Sequence, residues 1–498
     1  MPTKNDLYMK VMTLAKRRGY IWGPSPEIYG GLSGFYDIGP LGKGLKTNIE
    51  KLLRRWLVKN NFWEIESNTI SPISVWIASG HVEGFVDPIV ECKKCGSIYR
   101  ADKLIEEFRP HIKTFGLNFD ELNKIIKQEN IRCPKCKGEL SEVKEYNLML
   151  KTTVGLDSDC ILRPETATTT YVLFNRLFTF FREKLPIYVF QMGKAYRNEI
   201  SPRQGVLRLR EFTQAEAQTF ILPEQKNNFP YFDEIKDYEL PVLPYKLQQS
   251  SNKEDFVYMK IYELLEEGHI ENPAFGWHLW VGFKFYEFLN IPKGSIRIRQ
   301  HVPEERAHYA RDAWDIEVMT QRFGWVEVCG IHDRGDYDLS RHQEFSKQRL
   351  SVRLQDGTYV VPHVLEIAYG IERTLYVILE YAYREDEKRI WLQLPRFLAP
   401  IQVGVFPLMK KDKLPEIAKE IYNKIKNKGF FAIYDEDGSI GRRYRRMDEV
   451  GTPFEITIDY QTLEDETVTI RDRDTMKQIR VSEDEIISYL EKHLSFPI

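Results

Sequence analysis

The run AYRNEISPRQGVLRLREFTQAEAQTF over 195–220 holds the residue types best suited to chemistry. Side chains of a strand alternate between faces, so Arg197 and Glu199 share one face where a first strand ends. Ser-Pro and Gln-Gly turn the chain between Ile200 and Gly205. On the returning strand Leu207, Leu209 and Glu211 point one way, and Arg208, Arg210, Phe212, Gln214 and Glu216 the other. The predicted antiparallel hairpin therefore shows arginines, an aromatic ring and carboxylates on one face. Guanidinium groups match phosphate oxygens, and a ring beside them stacks a base or a guanidinium. Nucleotide binding is the sharper reading; a solvated polar face is the alternative.

A second run, VPHVLEIAYGIERTLY, ends a strand near Glu366, passes Gly370 and begins a helix with Arg373 in its first turn. A cation there opposes the helix macrodipole, and a bound polyphosphate would account for it. Four of the six cysteines form two CxxC pairs, Cys92/Cys95 and Cys133/Cys136, with 37 residues between the pairs. Four thiolates suit tetrahedral Zn²⁺ in a closed structural site; reduced cysteines without metal are the alternative. Cys160 and Cys329 read as small buried hydrophobes.

These groups need positioning elements. Leu45, Ile49, Leu52, Leu53, Trp56 and Leu57 recur at helical spacing, and FWEIESNTISP then reads as one strand ending at Pro72. Residues 85–145 form an inserted module around the cysteines, and 223–290 a second insertion. Strands resume near SIRIRQHV and continue through AWDIEVMT, WVEVCG and YVVPHVLEIA. Ile371, Leu375, Ile378 and Leu379 then stripe a helix. After LPRFLAP the pattern becomes strand–helix–strand, which predicts a separate α/β domain over 395–498 on a mainly parallel sheet. Ser482 and Glu485 stand at capping-box spacing before the last helix.

The chain has 498 residues, room for about three domains. A 42% hydrophobic and 29% charged composition excludes a disordered chain. No apolar run reaches the roughly 18 residues of a membrane helix, and the start lacks a signal-peptide pattern, so a soluble cytoplasmic protein is expected. The net charge of −2 points to no polyanion, although local basic patches suffice for RNA. Over 395–498 there are 17 Lys/Arg and 19 Asp/Glu. Arg442, Arg443, Arg445 and Arg446 cluster there, to meet phosphates and bases or to form a solvated helix face.

Together the first two runs resemble motifs 2 and 3 of the class II aminoacyl-tRNA synthetases, and the helix and strand ending at Pro72 resemble motif 1, a dimer element in that family. GFYDIGPLGKGLKTNIE, YRADKLIEE, LRPETA, WVEVCGIHDRGDYDL and GSIGRRYRRMDEVGTPFEITID sharpen the resemblance to the glycyl-tRNA synthetases of the archaeal/eukaryotic homodimeric type. It implies an α+β catalytic core on an antiparallel sheet, formed by 1–84, 146–222 and 291–394. The inserted module becomes zinc-binding, and 395–498 an anticodon-binding domain. By this resemblance Arg197 meets the ATP α-phosphate and Arg373 the γ-phosphate. Asn198, Glu199, Leu207, Arg208, Leu209, Arg210, Glu211, Phe212, Glu327, Val328, Gly370, Ile371 and Glu372 complete the ATP site. Phe212 stacks adenine, and Glu327 also suits Mg²⁺. Glycine contacts map to Arg100, Glu165, Phe212, Thr213, Gln214, Ala215, Glu216, Glu366, Ile367, Ala368, Tyr369 and Gly370. The implied partners are ATP with Mg²⁺, glycine, tRNA(Gly) and a second copy of the chain, with no membrane.

Glycine has no side chain to grip, so its ammonium and carboxylate must be held while larger amino acids clash. No competitor is one methylene smaller, so no editing domain is expected. Two departures from the family pattern fall in this pocket. Ala368 stands where a serine is usual, and Thr168-Thr169 where Gln-Gly is usual; Glu372 also replaces an aspartate. A class II synthetase for another small amino acid and a non-catalytic RNA-binding module are the competing readings, the latter disfavoured by Arg197 and Arg373.

Overall fold

The computed structural model describes residues 4–114, 116–200, 202, 204–250, 256–306 and 310–498. Ser201 and Arg203, in the turn read between the hairpin strands, lie outside the described residues.

A nine-stranded sheet carries the site. Its order is Val257–Lys260, Glu239–Leu243, Ile296–Gln300, Asp312–Thr320, Gly324–Gly335, His363–Gly370, Glu211–Ile221, Ile187–Tyr196 and Trp63–Glu64. Neighbours are antiparallel except at the Trp63–Glu64 edge and between Glu239–Leu243 and Ile296–Gln300. Alternation sends Ala215, Ala217, Leu365, Ile367 and Tyr369 into one large core beneath the sheet. Helices Pro40–Lys59, Pro273–Glu287 and Ile371–Ala382 fill that core. The opposite face displays Phe212, Gln214, Glu216, Glu366 and Ala368.

The helical stripe of Pro40–Lys59 buries as its spacing predicts, with Leu45, Ile49, Leu52, Leu53 and Leu57 fully enclosed. Gly42 permits close approach: a Cβ there would lie 1.9 Å from the Tyr20 carbonyl oxygen. FWEIESNTISP does not form one strand. Trp63–Glu64 joins the main sheet, whereas Ile70–Pro72 pairs with Ser158–Leu162 in a separate small sheet. Arg163 bridges the gap, its guanidinium donating to the Ser67 carbonyl at 3.2 Å and its backbone N–H to that of Thr69 at 2.9 Å.

The inserted module extends slightly past 145: strands Ile98–Arg100, Val86–Glu91 and Lys144–Asn147 form an antiparallel sheet with helices Ala101–Phe108 and Phe119–Gln128 around a core of their own. The segment 223–290 lays two strands on the main sheet's edge, and its helix Pro273–Glu287 enters the core.

The C-terminal sheet is mixed rather than mainly parallel. Strands Ala432–Tyr434, Val403–Pro407 and Phe454–Ile458 run parallel, and Thr467–Asp472 and Gln478–Ser482 antiparallel. The short link between the last two strands leaves no room for the crossover a parallel pair needs. Glu485 Oε2 accepts the Ser482 backbone N–H at 3.3 Å, but the last helix runs Ile486–Leu494 and begins beyond both residues.

Candidate nucleotide and amino-acid site

A cleft with about 600 Å³ of space, part of it open to solvent, lies on the polar face of the sheet. Its walls bring together Arg197, Glu199, Leu207, Arg208, Leu209, Phe212, Thr213, Gln214, Glu327, Val328, Ala368, Gly370, Glu372 and Arg373. The side chains of Ala215, Ile367, Tyr369 and Ile371 lie in the core beneath instead, so only their backbone can face a ligand.

Residues 207–210 depart from the hairpin reading. The returning strand begins at Glu211, after a 3₁₀ turn over Gly205–Leu207. The Arg210 N–H donates to the Gly34 carbonyl at 2.9 Å, and its guanidinium to the carbonyls of Glu199 and Ser33, both at 3.0 Å. Arg210 thus ties an N-terminal loop to the turn, while Leu207 and Leu209 are buried. Glu211 pairs with Lys194 at 3.1 Å, away from the cavity. The Asn198 N–H donates to the Leu148 carbonyl at 2.7 Å.

Arg197 extends from the first hairpin strand, its Nε donating to the Pro164 carbonyl at 3.1 Å and its guanidinium carbon 5.2 Å from the centre of the Phe212 ring. Arg373 projects from the first turn of its helix, as read. Its Nη1 donates to the Glu327 carbonyl at 2.9 Å and pairs with the Glu327 carboxylate at 3.0 Å; its Nε donates to the Leu207 carbonyl at 3.1 Å. The cation opposing the helix dipole is therefore balanced by Glu327 and two carbonyls. Arg208 donates to Glu199 at 2.6 Å and stands 3.8 Å from Asp87. Asp87 pairs with Arg100 at 3.1 Å, which joins the inserted module to the cavity wall without placing Arg100 on it.

Beside this cavity lies a cage of three buried carboxylates, Glu165, Glu216 and Glu366. Glu366 is fully partnered: His332 Nδ1 lies 2.9 Å from Oε1, while Tyr171 and Gln218 donate to Oε2 at 2.8 and 3.0 Å. Arg334, held by Asp338 at 2.7 and 2.8 Å, stands 3.4 Å from it. Burial works against its ionisation, but Arg334 and His332 outweigh burial and hold the carboxyl down to about 2. Glu165 accepts from Thr168 at 2.6 Å and lies 3.4 Å from His81; burial is again outweighed, here by His81 and Arg334, and its carboxyl stays well below the usual range.

Glu216 differs. Both donors, the N–H and hydroxyl of Thr166 at 2.8 and 2.5 Å, serve Oε2, and Oε1 accepts nothing among the described residues. Burial, with the Glu366 and Glu165 charges nearby, pushes this carboxyl up to about 8. Gln214, on the cavity wall, buries its side-chain oxygen without a donor among the described residues. A small cation presented to the cage would satisfy both electrostatic deficits.

The two departures acquire places here. Thr168 donates to Glu165, and Thr169 donates to the Thr166 carbonyl at 2.8 Å while accepting from Gln191 at 3.1 Å. Ala368 pairs directly with Glu216 across the strands and lines the cavity. Sequence reasoning missed His81, Thr166, Tyr171, Gln218, His332, Arg334 and Asp338. IHDRGDYDL had flagged the stretch containing His332, Arg334 and Asp338, but nothing in it assigned those roles.

The four module cysteines converge, their Sγ atoms all within 4.8 Å of one another. Tetrahedral zinc with bonds of about 2.3 Å sets sulfur–sulfur separations near 3.8 Å, and the 3.5 Å Cys92–Cys136 and 3.7 Å Cys95–Cys133 approaches fit. Gly138 closes the knuckle, where a Cβ would crowd Cys92 Sγ at 3.0 Å. In the C-terminal domain Arg443 is buried, donating to the Pro407 carbonyl at 2.6 Å, and Arg446 pairs with Asp435 at 2.5 Å. Arg442 and Arg445 remain exposed.

Comparison with known proteins agrees with this layout. Residues 151–382 match the family model of the tRNA synthetase class II core domain (G, H, P, S and T), and 402–493 match that of the anticodon binding domain. The glycine–tRNA ligase of Methanocaldococcus jannaschii is 44% identical, over 99% of this chain and 100% of its own. Those of Thermococcus gammatolerans and Methanococcus maripaludis strain C7 are 44% and 41% identical over 98% of this chain, covering 99% and 100% of theirs. A solved structure described as the RNA binding domain of threonyl-tRNA synthetase from Cryptosporidium parvum superposes with a TM-score of 0.61 over 98% of both chains. At 19% identity it speaks for the fold alone.

Proposed function

Because this chain belongs to the glycine–tRNA ligases, a family of class II aminoacyl-tRNA synthetases, we propose that it activates glycine with ATP and transfers the glycyl group to the 3′ end of tRNA(Gly). The carboxylate cage beside the nucleotide cavity carries the choice of amino acid: it is negatively charged, buried and offers one open oxygen, Glu216 Oε1. The glycine ammonium sits there, with Ala368 on the cavity wall beside it.

In the first step a glycine carboxylate oxygen attacks the ATP α-phosphorus. The bond to the bridging oxygen breaks and pyrophosphate leaves, giving glycyl-adenylate. The nucleophile is already ionised, so the protein need supply only alignment and charge neutralisation. Arg197, set by the Pro164 carbonyl and the Phe212 ring, donates to the α-phosphate; Arg373 takes the γ-phosphate, and Phe212 meets the adenine. When bound with ATP, Mg²⁺ neutralises phosphate charge, and Glu327, half-exposed on the cavity wall, would hold it. In the second step the terminal ribose hydroxyl of tRNA attacks the glycyl carbonyl carbon, and AMP leaves.

The Cys92, Cys95, Cys133 and Cys136 set would hold structural Zn²⁺. The 395–498 segment binds the anticodon arm, with Arg442 and Arg445 as exposed cations for its phosphates. The enzyme acts as a homodimer: the edge strand Trp63–Glu64 leaves Trp63 57% exposed beside Phe180 at 64%, an aromatic patch suited to a second copy. No helix among the described residues is long and apolar enough to cross a membrane, and a cytoplasmic location fits translation. Amino-acid-dependent ATP–pyrophosphate exchange tests the reading. Exchange should occur with glycine and not with alanine or serine; exchange with either of those, or none with glycine, would refute it.

A further inference from the structure

The buried face of helix Pro40–Lys59 is apolar except at Lys46, which is 5% exposed. Its Nζ donates to Thr213 Oγ1 at 2.6 Å and to Glu372 Oε1 at 2.7 Å, with Glu50 3.9 Å away. The other Glu372 oxygen, Oε2, accepts the Thr213 backbone N–H at 2.7 Å. Three segments distant in sequence thus close one ring: helix Pro40–Lys59, the second hairpin strand and the first turn of helix Ile371–Ala382. A lysine in the middle of an apolar stripe is unfavourable unless its charge is matched, so the ring is the reason Lys46 can be there.

The position of this ring matters more than its existence. Thr213 directly follows Phe212, and Glu372 directly precedes Arg373. Phe212 and Arg373 lie on the wall of the same cavity. Sequence reasoning placed Glu372 among the nucleotide contacts, and Glu372 does line the cavity, yet both its carboxylate oxygens are already engaged, Oε1 by Lys46 and Oε2 by the Thr213 N–H. We propose that Lys46 and Glu372 are positioning residues for ATP: they set the spacing between Phe212 and Arg373, and neither acts by touching the nucleotide. The choice of carboxylate at 372 then answers to the reach of Lys46 rather than to the ligand. This inference rests on the cavity being the ATP site.

Lys46→Met and Glu372→Gln each remove one charge at nearly constant volume. Each single change leaves a buried charge unmatched, whereas Lys46→Met/Glu372→Gln together leave none, so the double variant keeps the ring testable if a single variant unfolds. The readouts are KM for ATP, KM for glycine and thermal unfolding. The expected result is a rise of about tenfold or more in KM for ATP in every folded variant, with KM for glycine within about twofold. The double variant should be no worse than the weaker single one, because the two residues act as a unit. Unchanged KM for ATP in Lys46→Met or in the double variant would overturn the proposal, as would an equal rise in both KM values. A Glu372→Gln defect without a Lys46→Met defect would instead assign Glu372 a direct nucleotide contact. Failure of the functional reading is separately visible, since it would show as wild-type protein with no glycine-dependent exchange.

Discussion

Glycine binding should release a proton, and Glu216 should be its source. Burial and the Glu366 and Glu165 charges push this carboxyl up to about 8, so near pH 7 it is mostly protonated. An ammonium at hydrogen-bond distance brings a carboxyl down by about 1–3 pH units. Ionised Glu216 binds the cation best, so affinity must rise with pH and level off above about 8. Linkage makes the total change tenfold per unit of lowering, or about 10- to 1000-fold between the limbs. Calorimetric titration with glycine in buffers of different ionisation enthalpy counts the proton directly. Between about 0.4 and 0.9 proton should be released near pH 7, rising with the size of the lowering, and almost none well above the levelling point. His81 and His332 stand in the same cage, so Glu216→Gln supplies the control. It should abolish most of the release and weaken binding at the plateau by roughly 30-fold or more, equivalent to about 2 kcal/mol. Flat affinity from pH 6 to 9 with no proton released, or a slope unchanged in Glu216→Gln, would refute the argument.

Three further outcomes follow from the same geometry. Arg373→Ala removes a phosphate donor and strands the Glu327 carboxylate; glycine-dependent exchange should fall by about 10²–10³, and a change below fivefold would remove Arg373 from the site. Cys133→Ser should reduce bound zinc from about one atom per chain to near zero by elemental analysis and expose 85–145 to trypsin, whereas retained zinc would argue against the four-thiolate set. Trp63→Glu with Phe180→Glu should convert a dimer to a monomer in sedimentation; an unchanged sedimentation coefficient would place the interface elsewhere.

Local pattern carried much of this molecule, and long-range contact carried the rest. The apolar stripe of Pro40–Lys59, the paired cysteines and the strand-to-helix step at Gly370 each follow from spacing within a single segment. Residues 207–210 did not, because their alternating Leu and Arg looks like a strand while Gly34, far upstream, takes the Arg210 N–H and bends them off the ladder. FWEIESNTISP split for the same reason, drawn into two sheets by Phe190 on one side and Cys160 on the other. Glu165, Glu216 and Glu366 were legible as a set through family resemblance, but their unequal protonation was not. That depends on His81, Thr166, His332 and Arg334, which reach the cage from other elements. Lys46 could have been flagged as the one charge in an apolar stripe, although its partners at 213 and 372 lie beyond any local reading.

A crystal structure with a non-hydrolysable glycyl-adenylate analogue tests the account most directly. It should show the glycyl ammonium about 3 Å from Glu216 Oε1, the adenine against Phe212, and the α-phosphate on Arg197, with Lys46 and Glu372 still joined and clear of the ligand. An ammonium held by Glu366 or Glu165 while Glu216 Oε1 faces elsewhere would contradict it.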